Sequence, residues 1–514
     1  MIWFIRLSAV LVFLNFSSCK TAKNVSGLKD DRKIEIVFLQ VNDVYEIAPL
    51  SGGKEGGMAR VASLKKKYQK QNPNTFLVMA GDFLSPSVYN SLQYEGKRIR
   101  GRQMIEAMNT AGVDLAVFGN HEFDITEPEL LDRIKESYFT WIASNTFHKQ
   151  KSVSVPFVHP DGTAFPKTYI LHVKDADGTE AKIGFIGITL PFNKADYVSY
   201  TEPLQTAKEL YHQIKDSVDA VIAITHQLME DDIKMVQEVP GFALVIGGHE
   251  HDMRFEKIGN VFITKAHANA KSAYVVKLKI NKKKGKIKAD PELKYINENI
   301  SLDSTTNAVV EKWTAIAEKN YASLGFDARR VILKNSEPLD GRETEVRSRS
   351  TNLTKLIITA MKAAAPQADV VMMNSGSIRV DDIIQMPVTQ YDIIRALPFG
   401  GGIREADMKG SLLIKALDAG KKNRGIGGFL QFSEQVNFDE VSNTWKLNNV
   451  PIEPAKTYRI AMSDFLFTGR EANLDFLNPK NEGITKVYDP VTAVSDPRSD
   501  IRLAVIMYLE KSAQ

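Results

Sequence analysis

The sequence predicts an α/β protein built as two folded units, and three observations predict it. Five apolar runs in the first half each stop at a cluster of Asp, Asn or His, as buried strands do when they deliver side chains to one sheet edge. Stretches with helical spacing lie between those runs. Around residues 279 to 335 the composition shifts, and a second α/β pattern follows. A length of 514 residues fits this division, because a single domain typically takes about 100 to 200.

The chain opens MIWFIRLSAVLVFLNFSSCK, with Arg6 ahead of an apolar run from Leu7 to Phe16. That run is too short to span a membrane permanently. Cys19, the only cysteine, follows Phe16, Ser17 and Ser18, and the segment resembles a bacterial lipobox, whose cysteine is lipidated and becomes the mature N-terminus. A plain signal peptide with an incidental cysteine is the alternative. On the first reading residues 1–19 are a lipoprotein signal and residues 20–32 a polar tether. The protein is then exported and held at a bacterial membrane, on the periplasmic face or the cell surface, by its lipid alone. It would carry no other thiol, so Cys is excluded as a metal ligand and core packing supplies the stability.

The first unit is expected over residues 33–300. Its strands are IEIVFLQVND, TFLVMAGDF, LAVFGNHEFD, AVIAITHQ and FALVIGGHEHD, and its helices include MARVASLKKKYQK and KRIRGRQMIEAMNTAG. No Gly-rich phosphate turn follows the first strand, which argues against a Rossmann enzyme. A Lys-rich hairpin pattern, NKKKGKIK, then leads to the helical TTNAVVEKWTAIAEKNYASLG, and residues 301–336 are read as a linker. The second unit, residues 337–514, contains STNLTKLIITAMKAAAPQADVVMMNSGSIR, a loop with LPFGGGIR, and GFLQFSEQVNF. The net charge of +4 is near balance and no basic tract is interleaved with aromatics, so a nucleic-acid polymer is not an expected partner. A small anionic substrate needs only local positive charge.

The strand ends carry Asp43, Asp82, Asn120, His226, His249 and His251, with His121 and Asp124 beside Asn120. Carboxylate and imidazole donors suit Zn, Mn or Fe. A lone Asp at a strand end is more often a cap or turn residue. GD, GNHEFD, TH and GHEH in this order, each after an apolar strand, are a stronger signal than any of them singly.

These motifs resemble the signature of the calcineurin-like metallophosphoesterases, and nearly everything after the tether resembles their 5′-nucleotidase and UDP-sugar hydrolase branch. The resemblance implies an N-terminal metallophosphoesterase β-sandwich flanked by helices and a C-terminal α/β 5′-nucleotidase-type domain. It implies two divalent or mixed-valence metal ions bridged by Asp82. Asn120, His226 and His249 would complete one site, and Asp43 and His251 would serve the other. Two cations about 3.5 to 4 Å apart deprotonate a shared water and clamp the phosphoryl oxygens. His121, oriented by Asp124, stands where the family has its non-ligand histidine, which stabilises the transition state or protonates the leaving oxygen. The family usually opens with Asp-x-His, whereas this sequence reads NDVYE and places Tyr45 at the histidine position. Three outcomes stay open: Tyr45 ligates, Tyr45 stands aside and water fills in, or the first metal is weak. Phenolate is a good ligand for ferric iron, as in the more distantly similar purple acid phosphatases. His148, His159, His172 and His212 carry no motif and read as structural or surface residues, while His267 follows GHEH closely enough to border the site.

In the second unit, NSGSIR resembles the family's Asn-Gly-Gly-x-Ile-Arg segment, which implies nucleotide contacts for Asn374 and Arg379. Arg347 matches another arginine used on the same ligand, although RSRSTNLTKL lacks the acidic residue and Gly-Asn that usually follow. LPFGG places Phe399 where one aromatic face meets the nucleobase. The partner ring is less well matched: FLFTGREANLDFL keeps Gly469, offers Glu471 for an acid and puts Asn473 at the aromatic position, so Phe476 serves only if the loop is rearranged. The expected substrate is a nucleotide bound by a monomer in a cleft between the units. The alternatives are a same-core esterase for a sugar phosphate, a cyclic phosphodiester or a sulfur ester, and a nucleotide-binding lipoprotein without catalysis.

Overall fold

A computed structural model of the protein describes residues 29–192 and 195–512. The leader with Arg6 and Cys19, most of the tether, and Asn193 and Lys194 lie outside the described residues. No helix among the described residues is long and apolar enough to cross a membrane.

Two six-stranded sheets make up the first half. One runs, edge to edge, Lys286–Tyr295, Ser272–Asn281, Lys33–Val41, Thr75–Ala80, Leu115–Val117 and Thr140–Ile142. The other runs Arg254–Ile258, Val261–Lys265, Leu244–Gly248, Ala220–His226, Glu180–Thr189 and Thr168–Lys174. Central strands pair in parallel, so their C-terminal ends share an edge, while hairpin partners close the flanks antiparallel. The strand Lys33–Val41 explains why its sequence reads as an unbroken apolar run. Ile34, Ile36 and Phe38 enter the space between the sheets, and Val37, Leu39 and Val41 enter the outer layer of helices. Phe38 meets Phe185 of the facing sheet edge-on at 5.7 Å, a contact that adds about 0.5–1.5 kcal/mol beyond burial.

Helices Met58–Gln71, Arg102–Ala111 and Glu127–Glu136 cover the first sheet, and Pro203–Ile214 and Met229–Glu238 cover the second. The helix expected over KRIRGRQMIEAMNTAG starts late. Lys97–Arg98 pairs with Gln93–Tyr94 in a short hairpin, and Gly101 at φ 83 blocks helical backbone before Arg102. Helix Ser304–Ser323, in the expected linker, lies against Met58–Gln71 and Arg102–Ala111, with Trp313 Nε1 donating to Glu106 across 2.9 Å.

The second half is a five-stranded sheet in the order Leu430–Phe432, Val370–Asn374, Thr457–Ser463, Ile403–Lys409 and Ile484–Val487. One face packs on helix Gly410–Lys422. The other packs on Asn352–Ala364 and Ile501–Ser512, in an apolar cluster that continues through Tyr321 and Trp313 into the first half. The protein is therefore a two-domain α/β molecule whose halves meet over packed side chains as well as polar contacts.

Candidate metal centre and substrate cleft

Parallel pairing of Lys33–Val41 with Thr75–Ala80 brings the residues after both strands to one place, and Asp43 N donates to Gly81 O across 3.0 Å. Asp43, Asp82 and His249 all sit at left-handed backbone, with φ 52, 54 and 94. Such conformations cost of order 1–3 kcal/mol each and persist only where the surroundings over-determine them. The glycines of GN and GH are demanded by close approach: a Cβ on Gly119 would lie 2.1 Å from Asp82 Oδ1, and one on Gly248 would lie 2.3 Å from Ala80 O.

The donors of Asp82, His226 and His249 lie within 4.8 Å of one another, in an arrangement able to hold a metal ion. His226 donates from Nδ1 to Ala80 O across 2.8 Å, which turns Nε2 toward Asp82 Oδ2 at 3.0 Å. The Oδ1 of Asn120 is buried without a hydrogen-bond partner, and the buried Nε2 of His226 faces the Asp82 carboxylate. A buried acceptor so placed calls for a cation, and the residues present fit one. The electrostatics agree. Burial alone would lower His226, but the Asp82 and Asp43 carboxylates outweigh it and push the ring up to about 9. Burial and the neighbouring His226 push His249 down to about 3.

Beside Asp82, the buried Tyr45 places its hydroxyl 2.9 Å from His251 Nε2 and 3.4 Å from both Asp43 Oδ1 and Asp82 Oδ2. His251 Nε2 is 3.6 Å from Asp43 Oδ1. Tyr45 therefore points into the donor cluster, where the motif led one to look for a histidine.

His121 donates from its backbone to Asp82 Oδ1 across 2.8 Å and engages Asp124 Oδ2 through Nδ1 at 2.6 Å. Burial lowers its pKa, but Asp82 and Asp124 overcome that and raise it above 6.5, against an opposing contribution from Arg379. Arg379 of the second half is thus within electrostatic reach of His121. It also lines a crevice at the seam with Tyr45, Asn269 and Pro398.

The sequence reading missed several supports. Glu122 accepts from the backbone N–H groups of Asp82, Phe83, Leu84 and Gly119 at 2.9, 2.7, 3.0 and 2.6 Å. It ties the two loops together, and burial pushes its carboxyl up to about 7. Its position inside GNHEFD was the available signal. Asn42 donates to Asp43 Oδ2 across 2.7 Å and exchanges bonds with the backbone of Ala266. Lys265, hidden in the strand Val261–Lys265, donates to Gln227 O and Glu250 Oε2, each at 2.6 Å, and bridges to Asp232 at 3.0 Å. It so fixes the chain beside His226 and between His249 and His251.

In the second half, Asn374 is buried and donates to Glu471 across 2.6 Å, and Arg347 pairs with Glu343 at 2.6 Å. Phe399 is 71% exposed. Phe476 does not face outward with it: its ring packs on the apolar cluster under helix Gly410–Lys422, with Lys415 Nζ 4.1 Å from the ring centre. Asn473 is held by Asn423 across 2.8 Å. The loop turns at Gly469, at φ 70. A cavity of about 720 Å³ opens between the halves, lined by His249, His251, His267, Arg342 and Asp381 among others. His148, by contrast, is a buried partner of Glu127 at 2.6 Å.

Residues 36–253 match the calcineurin-like phosphoesterase family, and residues 331–477 match the 5′-nucleotidase C-terminal domain. Protein UshA of Yersinia enterocolitica is 25% identical over 500 residues, covering 85% of this chain and 86% of that protein. A snake venom 5′-nucleotidase of Gloydius brevicauda is 25% identical over 502 residues, covering 85% and 81%. Among solved structures, a 5′-nucleotidase precursor from Thermus thermophilus aligns with a TM-score of 0.63 at 21% identity, covering 93% of this chain and 97% of that one. The sulfate thiohydrolase SoxB of Thermus thermophilus aligns with a TM-score of 0.58 at 14% identity, covering 93% and 94%. The two structural likenesses bear on the fold alone.

Proposed function

Because the chain belongs to the calcineurin-like phosphoesterases in their 5′-nucleotidase form, metal-dependent hydrolases of phosphate esters, we propose that it is an exported nucleotidase. It releases phosphate from nucleoside 5′-monophosphates or related nucleotides at a site for two metal ions. The observation that carries this is the convergence of Asp82, His226 and His249, together with the buried, unpartnered Oδ1 of Asn120. Asp82, Asn120, His226 and His249 would hold one ion; Asp43, Tyr45 and His251, with Asp82 shared, would hold the other. Oxygen and imidazole donors fit Zn, Mn or Fe. Bound there, the pair supplies a nucleophilic water of lowered pKa and positive charge for the phosphoryl oxygens.

The chain's own groups do the rest. Ala80 O fixes the tautomer of His226, and Glu122 holds the turn that aims Asp82. With Nδ1 engaged by Asp124, His121 has Nε2 left to give a proton to the leaving nucleoside oxygen. Arg379, whose charge is felt at His121, would oppose negative charge on the phosphoryl group. Arg347, Asn374 and Phe399 grip the nucleoside, and that remote binding positions the ester for attack. Export and a lipid anchor at Cys19 rest on the leader's residue pattern.

A second reading, a same-core esterase for a sugar phosphate, cyclic phosphodiester or sulfur ester, is favoured by one observation. The segment expected to supply a second base-stacking ring offers Asn473, while Phe476 is packed away. One panel decides between them: phosphate release from AMP, a UDP-sugar, cyclic nucleotides and an aryl phosphate, each with Mn, Zn and Fe, on protein lacking residues 1–19. Nucleotides turned over fastest support the proposal; no nucleotide turnover with any metal defeats it.

A further inference from the structure

Resting on that two-ion reading, we infer that Asp381 of the second half is a positioning residue for His251, so that the ion site of the first half is completed across the seam. His251 Nδ1 lies 2.9 Å from Asp381 Oδ2 and 3.0 Å from the Asp381 carbonyl oxygen. The opposite ring nitrogen, Nε2, faces Tyr45 and Asp43. An imidazole whose Nδ1–H is taken by a carboxylate has its tautomer and ring plane set and becomes a more basic donor at Nε2.

The two halves of the site are held by different means. His226 finds its Nδ1 acceptor in Ala80 O, at the end of strand Thr75–Ala80 in the same domain. His251 finds its acceptor 130 residues along the chain, in a different domain. Asp381 is itself fixed: Oδ1 accepts from Glu343 N across 2.5 Å, and its backbone is left-handed at φ 36. The next residue, Asp382, pairs with Lys271 from the first half and lies 3.4 Å from Arg395 Nη1. Two successive aspartates thus fasten the Arg379 segment to the loops around the metal centre. Glu343 also pairs with Arg347, so a ligand on Arg347 and an ion on His251 share a short chain of polar bonds.

The test is Mn(II) binding to the full chain, stripped of metal and titrated while electron paramagnetic resonance follows free, isolated and exchange-coupled ions. Asp381→Asn keeps a residue that tolerates the left-handed backbone and removes the anion; Asp381→Ala removes both side-chain oxygens. Asp381→Ala is expected to weaken one of the two Mn(II) constants by about 10- to 100-fold and leave the other unchanged, with the coupled-pair spectrum giving way to that of a single ion. Asp381→Asn is expected to fall between, and it decides the matter if the alanine variant does not fold. Weakening of both constants alike, or of neither, overturns the inference while the two-ion reading stands. A wild-type chain that binds no Mn(II) overturns both.

Discussion

Asp124 grips His121 through a 2.6 Å contact between Oδ2 and Nδ1, and the same turn donates the His121 backbone N–H to Asp82. The candidate proton donor is therefore tied to the candidate bridging carboxylate by one backbone hydrogen bond and to Asp124, three residues along the chain, by another. Ser85 completes the arrangement by donating to Asp124 across 3.2 Å. A group mounted this way can act on a substrate without contributing to metal retention.

That separation gives the first prediction. His121→Ala leaves metal content unchanged and lowers kcat for nucleoside monophosphates by about 10²- to 10⁴-fold. The loss is smaller for p-nitrophenyl phosphate, because its phenolate leaves without a proton. Equal losses on both substrates, measured by phosphate release, mean that His121 works by charge rather than as an acid.

The helix Ser304–Ser323 supplies a prediction about stability. Asp303 caps it, accepting from Thr306 N and Oγ1 at 3.1 Å each, and pairs with Lys66. Burial raises the Asp303 carboxyl, but the bonds from Lys66 and Thr306 outweigh that and hold it below 3.8. A depressed carboxylate pKa adds stability that is present above the unfolded value and is lost as pH falls through the folded one. Asp303→Ala therefore costs about 1 kcal/mol at neutral pH in denaturant melts. The gap from wild type closes in acid, and a gap that is the same at both pH values refutes the assignment.

The strand ends were legible because a parallel strand buried on both faces reads as an apolar run, and only its tip is free to be polar. Asp43, Asp82, Asn120, His226 and His249 could all be picked out that way. Partner order was not legible: Lys33–Val41 lies beside Ser272–Asn281, and nothing local announces a neighbour so far along the chain. The supports were hidden for the same reason. Lys265 reads as the end of an apolar strand until Asp232 and Glu250 are seen around it, and Asp381 reads as a loop aspartate until His251 meets it. At Phe476 the sequence supplied an aromatic ring, while the packing of that ring under Lys415 depends on a helix about sixty residues earlier in the chain.

Asp82 Oδ2 touches both donor groups, 3.0 Å from His226 Nε2 and 3.4 Å from the Tyr45 hydroxyl. Asp82→Asn keeps the shape and the bond from His121 N but removes the anionic charge at the shared position. Metal content measured after dialysis is expected to drop below two ions per chain. Activity is expected to fall by about 10³-fold or more, since an ion's charge stabilisation is worth several kcal/mol. Full retention of metal and activity removes Asp82 from the bridging role.

Tyr45 allows a spectroscopic prediction. Tyr45 Oη lies 2.9 Å from His251 Nε2 and 3.4 Å from an oxygen of each of Asp43 and Asp82, and His251 Nε2 lies 3.6 Å from Asp43 Oδ1. Adjacent ligands on one ion with bonds of about 2.0–2.2 Å stand at roughly such spacings. Burial, and then Asp82 and Asp43, push the phenol pKa well above 10, so a weak Lewis acid leaves it protonated and only a strong one converts it to phenolate. Among Zn, Mn and Fe, ferric iron best meets that demand. Protein loaded with iron in air is therefore expected to be coloured by a phenolate-to-iron(III) transition. Tyr45→Phe loses the colour and holds one ion more weakly. Tyr45→His also loses it, and its activity shifts toward Mn or Zn, because a neutral imidazole suits divalent ions. Two irons bound without colour in the wild type would mean that Tyr45 stands aside and that His251 and the carboxylates hold the first ion without it.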